Sequence, residues 1–397
     1  MIKTRINFNQ YKKECINLRK EFHKMPEPAF EEIETSKRIA SYLTDWGLEV
    51  TTGIAKTGVV GLLRGKKEGK TIAVRADIDG LPVKENTNLD YSSNKKGYMH
   101  ACGHDGHISI ALQTAKILSN FKNEIKGNVK FIFQPAEEIV AGAALMIKEG
   151  VLKDPDVDAI IGLHIWPELE SGFLGVNKGP VFASADRFDL IIKGKSGHGA
   201  LPHQTKDPSI VLADIINGFQ KIISRELSPL EPGVISFGMI KGGSVYNIIP
   251  SKIETNGTIR SFNSDIRELI PNRMEEIAYN ICKGYQLKSD YKFSPGVPVT
   301  LNNEEITDFI IKTLRDSMGS NLIKTTKPTM GGEDFSLFLE EVPGTYMLLG
   351  TKNEKKGITG SIHQPNYDID NDILIIGVKA FIHIILNYLN TSPIFNI

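Results

Sequence analysis

Cysteine, tryptophan and a surplus of either charge are what this 397-residue chain has least of. It contains 3 cysteines and 2 tryptophans, and its 47 basic residues are balanced by 47 acidic residues. Three cysteines at irregular spacing do not make a disulfide framework, so we expect a reducing, cytoplasmic location. A net charge of zero gives no electrostatic footprint for nucleic acid or an anionic membrane. These absences favour a small molecule or a short peptide as the partner.

Long apolar runs are also missing. The most apolar segment, residues 373–386, is interrupted by Lys379 and His383, and it is too short to span a bilayer. We therefore expect it to be a buried helix and expect no membrane association. The first residues lack the apolar core of a secretory signal.

The chain is longer than one hydrophobic core usually supports, which predicts two domains. Short apolar runs predict strands at residues 59–63, 71–74, 129–133 and 159–163. Helical patterns lie at residues 31–45, 108–121 and 141–152. This alternation predicts an α/β domain with a mostly parallel sheet and helices on both faces, formed by residues 1–181 and 296–397.

Residues 182–295 show a different order of elements, β-α-β-β-α-β, which is typical of a ferredoxin-like α+β unit. Within it, Asp207 followed by Pro208 predicts a helix start, with Asp as N-cap and Pro at the first helical position. We therefore expect an inserted second domain.

Three of the 9 histidines and one cysteine lie between His100 and His107. Thiolate and imidazole are preferred ligands of zinc and similar metals. The alternative is a loop whose histidines cap the following helix.

Ionisable residues also follow the predicted strands of the first domain, namely Asp77 and Asp79, the pair Glu137-Glu138, and His164. Because ligand sites of open α/β sheets lie at the carboxyl ends of strands, these side chains are expected to converge on a site for two metals. Adjacent glutamates point in different directions, so one is expected to bind metal and the other to accept a proton from water. The alternative is that both are carboxylates favoured by a helix dipole.

Five segments in this order resemble the M20 family of metallopeptidases and amidohydrolases, in particular its N-acyl-amino-acid amidohydrolases, such as hippurate hydrolases. They are RADIDGLP from Arg75, HACGHDGH from His100, QPAEE from Gln134, GLH from Gly162 and SGHGALPH from Ser196. The resemblance extends through MGGEDF from Met330 and SIHQP from Ser361.

The resemblance implies two divalent metal ions (Zn, Mn, Co or Ni), with ligands Cys102, His104, Glu138, His164 and His363. It implies that Glu137 is the proton acceptor and that Asp77 and Asp79 belong to the active site, where either could accept a hydrogen bond from a ligating imidazole. Glu333 and Asp334 are candidates for lining the site.

For the inserted domain, the resemblance implies a lid and a dimer interface, and a tetramer is the alternative assembly. His198 would stabilise the oxyanion in the partner subunit's site, and Asn247 and Arg260 would bind the substrate's carboxylate. From the residues alone, Arg260 could equally pair with a neighbouring acid.

The expected activity is metal-dependent hydrolysis of the amide bond of N-acyl amino acids. An exopeptidase, either a carboxypeptidase or a dipeptidase, would use the same machinery. Two further alternatives are a thiol enzyme, in which His104 or His107 activates Cys102, and a non-catalytic binding protein.

Overall fold

The computed structural model describes residues 2–391, and these divide into two compact units. Unit 1 contains the described residues up to 181, together with 301–327 and those from 334 onward; unit 2 contains 182–300 and 328–333. The sequence placed the end of the second domain at 295. The observed unit 2 extends to 300 because strand pairing continues to Val297, and it also includes the short segment 328–333, which pairs with Phe182 and Ala183.

The sheet of unit 1 has eight strands in the order β1-β2-β4-β3-β5-β16-β6-β15. The four central strands, β4, β3, β5 and β16, run parallel, and the outer pairs β1–β2, β2–β4 and β16–β6 are antiparallel. The strands are β1 (Glu49–Ile54), β2 (Gly58–Arg64), β3 (Lys67–Asp77), β4 (Lys126–Gln134), β5 (Ala159–Glu170), β6 (Leu174–Gly175), β15 (Ile323–Lys324) and β16 (Gly344–Lys352).

Successive side chains of the central strands point to opposite faces, and both faces are covered by helices. In β5, Ile161 and Leu163 join the main hydrophobic core, whereas Gly162 lies against Phe335 and Tyr346 on the opposite face. Helices contributing to the main core are α1 (Phe8–His23), α2 (Ile33–Asp45), α3 (His104–Ser119), α7 (Glu304–Met318) and α9 (Leu374–Tyr388). Two short helices, α4 (Gly142–Lys148) and α8 (Phe335–Glu341), cover the opposite face. The predicted mostly parallel α/β fold is confirmed.

The expectation of a buried C-terminal helix is also confirmed, because α9 lies in the core between α1, α3 and α7. Residues Asn371–Tyr388 are long and apolar enough to be tested as a membrane span, but 67% of this window is buried within the protein. Its apolar character is therefore explained by core packing.

Several predicted element boundaries were wrong, and three of them lie near predicted site residues. Strand β5 does not end at Leu163 but continues to Glu170, because its pairing with β16 extends to Lys352. Helix α3 begins at His104 rather than at residue 108, so two of the clustered histidines lie in its first turn. Helix α2 begins two residues later than predicted, after Glu32.

Unit 2 contains a four-stranded antiparallel sheet in the order β10-β12-β8-β13, covered by two helices. This is the arrangement expected of a ferredoxin-like unit. The elements are β8 (Ala185–Lys193), β9 (Gly197–His198), α5 (Pro208–Lys221), β10 (Gly233–Gly242), β11 (Ile248–Ile249), β12 (Lys252–Ser261), α6 (Ser264–Gly284) and β13 (Lys288–Val297). As predicted, Asp207 caps α5: its carboxylate accepts the main-chain N–H of Ser209 at 2.8 Å, and Pro208 is the first helical residue. The chain passes from unit 1 to unit 2 within strand β7 (Gly179–Phe182) and returns to unit 1 within strand β14 (Thr300–Asn302). It enters and leaves unit 2 once more at the two ends of segment 328–333.

Candidate metal centre

The loop before α3 places a thiol and an imidazole side by side in a buried position. Gly103, between Cys102 and His104, has φ +86°, and a Cβ there would lie 3.1 Å from the hydroxyl of Tyr367. A side chain at this position would therefore be strained and crowded, which explains the glycine. The left-handed turn ends the loop, so that α3 starts at His104.

Two histidines each have one nitrogen fixed by a main-chain carbonyl. His104 Nδ1 lies 2.9 Å from the carbonyl oxygen of Asp79, and His164 Nδ1 lies 2.8 Å from that of Ile165. Because a carbonyl oxygen can only accept, Nδ1 carries a proton in both rings, and Nε2 is the nitrogen of each ring that is left to bind a cation. His104 Nε2 is buried without a hydrogen-bond partner, and His164 Nε2 lies 3.4 Å from the sulfur of Cys102. These nitrogens are suited to bind a cation.

His107 has a different role. Its Nδ1 donates to Asp77 Oδ1 at 2.5 Å, and its Nε2 accepts the main-chain N–H of Ile165 at 2.9 Å. With both nitrogens engaged, this imidazole supports β5 next to His164 rather than offering a lone pair. The carboxylate of Asp77 thus binds His107, whereas Asp79 contacts His104 through its main-chain oxygen and, at 3.2 Å, through Oδ1.

Glu137 and Glu138 lie in the loop between β4 and α4, and both face His104. His104 Nε2 is 3.9 Å from Glu137 Oε2 and 3.8 Å from Glu138 Oε1. Glu138 Oε2 is also 3.4 Å from Nε2 of the half-exposed His363, while its buried Oε1 has no hydrogen-bond partner. Contacts in two directions are what a carboxylate between two cations would make.

The donor atoms form two sets that share the sulfur of Cys102. One set combines Cys102 with His104 and His164, and the other combines Cys102 with Glu138 and His363; within each set the donors lie within 4.8 Å of one another. A third set at the same spacing contains His104, Glu137 and Glu138. Sulfur, imidazole and carboxylate donors suit zinc and its neighbours, and the buried His104 Nε2 and Glu138 Oε1, which have no hydrogen-bond partner, are suited to bind a cation. The residues therefore fit two adjacent metal ions.

The pKa values of the buried groups also fit a site for metal ions. Burial raises the pKa of the Cys102 thiol well above its usual range, and the carboxylates of Glu138 and Glu137 raise it further. Burial likewise raises the pKa of Glu138 to about 7. Burial opposes the charging of His104, but Asp77 and Asp79 outweigh it and raise its pKa to about 10. Without a cation the thiol is protonated at neutral pH, so Cys102 is poorly suited to act as a free thiolate nucleophile.

Sequence reasoning missed a buried group that supports the centre from behind. Arg75 donates to Asp77 Oδ2 at 2.6 Å, to Asp334 Oδ1 at 2.8 Å and to Gln134 Oε1 at 2.8 Å. Asp334, a candidate for lining the site, holds Arg75 and Gln134 together and also has a carboxylate oxygen within 4.8 Å of one of Glu137. The sequence signal was available, because Arg75, Gln134 and Asp334 each lie in one of the quoted motifs.

Unit 2 contains the other three predicted site residues. The pairing of β9 with β11 places Ile248 opposite the exposed His198, and the carbonyl of Asn247 accepts the N–H of Gly199 at 2.8 Å, so His198 and Asn247 are neighbours. His198 Nδ1 accepts the N–H of Ala200 at 3.1 Å, which places its proton on the exposed Nε2. Arg260, on β12, is half-buried; Asp186, the acid that acts on its charge, is paired with Arg267 at 2.8 Å.

Comparison with known proteins gives consistent matches over almost the whole chain. The profile of peptidase family M20/M25/M40 matches residues 73–387. A thermostable carboxypeptidase of Saccharolobus solfataricus is 43% identical over 92% of this chain and 93% of its own length. An N-acetylcysteine deacetylase of Bacillus subtilis is 37% identical over 95% of this chain and 97% of its own length. The structure of a dinuclear metal-binding M20 peptidase of Bacillus subtilis superimposes with a TM-score of 0.85 at 34% identity. The superposition covers 97% of this chain and 99% of that protein's chain.

Proposed function

The chain belongs to peptidase family M20/M25/M40 and is a metal-dependent hydrolase, and we propose that it hydrolyses the amide bond of N-acyl amino acids. One observation supports this proposal: two sets of metal-binding donors share Cys102, and Glu137 lies next to these sets but belongs to neither. A purely structural cation site has no use for such an additional carboxylate.

Cys102, His104, Glu138, His164 and His363 would hold two divalent ions, with zinc, manganese, cobalt or nickel as the candidates. Bound there, the ions act as Lewis acids and lower the pKa of water from 15.7 towards about 7.

Glu137 is the residue proposed to move the proton. Its carboxylate accepts a proton as the water oxygen attacks the acyl carbon, and it returns that proton to the nitrogen of the leaving amino acid as the C–N bond breaks. The products are a carboxylic acid and a free amino acid. Asp79 fixes the donor group His104, and Asp77, held by Arg75, fixes His107, which supports β5 next to the donor group His164.

The proposed substrate contacts come from unit 2. His198 is exposed, and its Nε2–H would donate to the oxyanion of the tetrahedral intermediate in the partner subunit's site. The guanidinium of Arg260 forms no ion pair within residues 2–391, so its N–H groups can bind the substrate's carboxylate in a bidentate arrangement. Asn247 is proposed as a second hydrogen-bond donor to that carboxylate.

A homodimer is the proposed assembly, with a tetramer as an extension of it. Strand β10 is an edge of its sheet, and the β10–β11 segment exposes Met239, Ile240, Val245, Tyr246 and Ile248. Exposed apolar side chains along an open strand edge are typical of a surface that is covered by another chain. Cytoplasmic location is proposed because all three cysteines are free and buried.

An exopeptidase remains the second candidate, because one of the relatives is named a carboxypeptidase. The test compares N-acetyl-X with glycyl-X for the same amino acid X, since the two differ only by an added ammonium group. Protein loaded with each candidate metal should show a higher kcat/KM on N-acetyl-X and on hippurate. A preference for glycyl-X would establish the exopeptidase instead.

A further inference from the structure

Residues 135–143, which we call the catalytic loop, are held by three carboxylates from distant parts of unit 1. Glu32 Oε1 accepts the N–H of Ala136 at 2.9 Å, Asp79 Oδ2 accepts that of Glu138 at 3.0 Å, and Asp334 Oδ2 accepts that of Ala143 at 3.1 Å. All three carboxylates are almost completely buried. We propose that Glu32 is a positioning residue for Glu137, and that this hydrogen bond to Ala136 sets the direction in which the Glu137 carboxylate points.

The catalytic loop needs such support because its backbone is unusual. Ala136 and Val140 have φ values of +54° and +57°, a region that residues other than glycine seldom adopt. At Gly142, a Cβ would lie only 1.7 Å from the carbonyl oxygen of Pro135, so the two ends of the loop touch. A backbone of this kind persists only where its surroundings determine it, and here buried carboxylates do so.

Of the three carboxylates that hold the catalytic loop, Glu32 is the one whose effect on the loop can be measured separately. Asp79 also contacts His104, and Asp334 also holds Arg75 and Gln134, so changing either would disturb several contacts of the centre. The carboxylate of Glu32 instead joins Ala136 to the hydroxyl of Thr57, which donates at 2.5 Å. Its effect on chemistry therefore passes through the residue that immediately precedes Glu137.

The inference rests on the proposed role of Glu137 as the proton acceptor. Replacing Glu32 with alanine leaves the buried N–H of Ala136 without its acceptor, which frees the left-handed turn to relax. A displacement of about 1 Å of a catalytic group can lower the rate about 100-fold. Glu32→Gln keeps a carbonyl oxygen for Ala136, and Thr57 can accept from the new amide.

Three variants test the inference: Glu32→Ala, Glu32→Gln and the control Asp158→Ala. Asp158 also binds a main-chain amide, that of Thr71 at 2.7 Å, but six residues away from Asp77 along β3. The expected result for Glu32→Ala is a kcat lower by about 10- to 100-fold, with KM within about twofold and two metal ions still bound. Glu32→Gln should retain kcat within about threefold, and Asp158→Ala should leave it unchanged.

Hydrogen exchange of the metal-free protein gives a readout independent of activity. Peptides covering the catalytic loop should exchange faster in Glu32→Ala than in wild type, Glu32→Gln or Asp158→Ala. Equal exchange and equal kcat in Glu32→Ala and Asp158→Ala would overturn the inference, as would a loss in Glu32→Gln as large as in Glu32→Ala. The proposed function fails separately, if Glu137→Gln retains wild-type activity.

Discussion

The position of a single proton decides which histidines of the centre can bind a cation. His104 and His164 each donate Nδ1–H to a carbonyl oxygen, and this leaves the Nε2 lone pairs directed at the other donors. His107, three residues from His104 on the same helix, has both nitrogens engaged and supports its neighbours. The sequence predicted the cluster, but it could not predict this division, because the tautomer of His104 depends on a carbonyl oxygen 25 residues away and that of His107 on a carboxylate 30 residues away.

The shared position of Cys102 leads to a prediction about metal content. Cys102→Ser should lower the bound metal from two ions per chain to fewer than one and abolish activity, because both donor sets lose a thiolate for a weakly binding hydroxyl. The matched control is Cys282→Ser, which changes a buried cysteine of unit 2. Elemental analysis after dialysis measures the difference. Two retained ions in Cys102→Ser would contradict the shared ligand.

Chelation distinguishes the thiol-enzyme alternative. We expect dialysis against a chelator to remove activity and the addition of a divalent metal to restore it. Activity that survives complete removal of metal would instead support Cys102 as a nucleophile.

Among the elements, those with continuous apolar runs could be predicted from sequence, and those set by long-range contacts could not. The central strands were recognised because both of their faces are buried. The extension of β5 beyond Leu163 was missed, since it depends on pairing with β16, nearly two hundred residues later. For the same reason, the contact between Glu32, at the start of α2, and the catalytic loop could not be predicted from the sequence.

The start of α9 provides a prediction of pH dependence. The buried Asp370 accepts from Lys356 at 2.6 Å, from Asn353 at 2.7 Å and from Ser171 at 2.7 Å. Burial opposes ionisation of this carboxyl, but these donors outweigh it and lower its pKa to about 2. Because the folded pKa is below the unfolded value, the stabilisation is present above about pH 4 and is lost as pH falls towards 2.

Asp370→Asn should therefore lower stability at pH 6 by about 1–2 kcal/mol and flatten the loss of stability below pH 4. Melting temperatures of the metal-free protein between pH 6 and pH 3 measure both effects. The control is Asp90→Asn, whose side chain is 80% exposed and should change neither. Parallel pH curves for wild type and Asp370→Asn would contradict the assignment.

For the whole molecule, the order β-α-β-β-α-β was readable from sequence because each unit 2 element has its own turn or cap signal, as at Asp207. The inclusion of residues 328–333 in unit 2 could not be predicted from the sequence, because it depends on contacts of this segment with strands far away in sequence.

The proposed dimer predicts the effect of a charge on strand β10. Ile240→Asp should convert a dimer to a monomer, because it places a charge in the proposed apolar interface. Ile210→Asp is the control: Ile210 lies on α5 and is 59% exposed, compared with 55% for Ile240. Sedimentation at micromolar concentration measures the mass. A monomeric wild type, or a dimer that persists in Ile240→Asp, would contradict the interface.

The proposed role of Glu137 is tested by the kcat of Glu137→Gln for an N-acyl amino acid, measured on protein shown by elemental analysis to bind two metal ions per chain. Because glutamine cannot accept the proton, we expect a kcat lower by about 100- to 10,000-fold with metal content unchanged. A fully metal-loaded Glu137→Gln protein with wild-type kcat would contradict it.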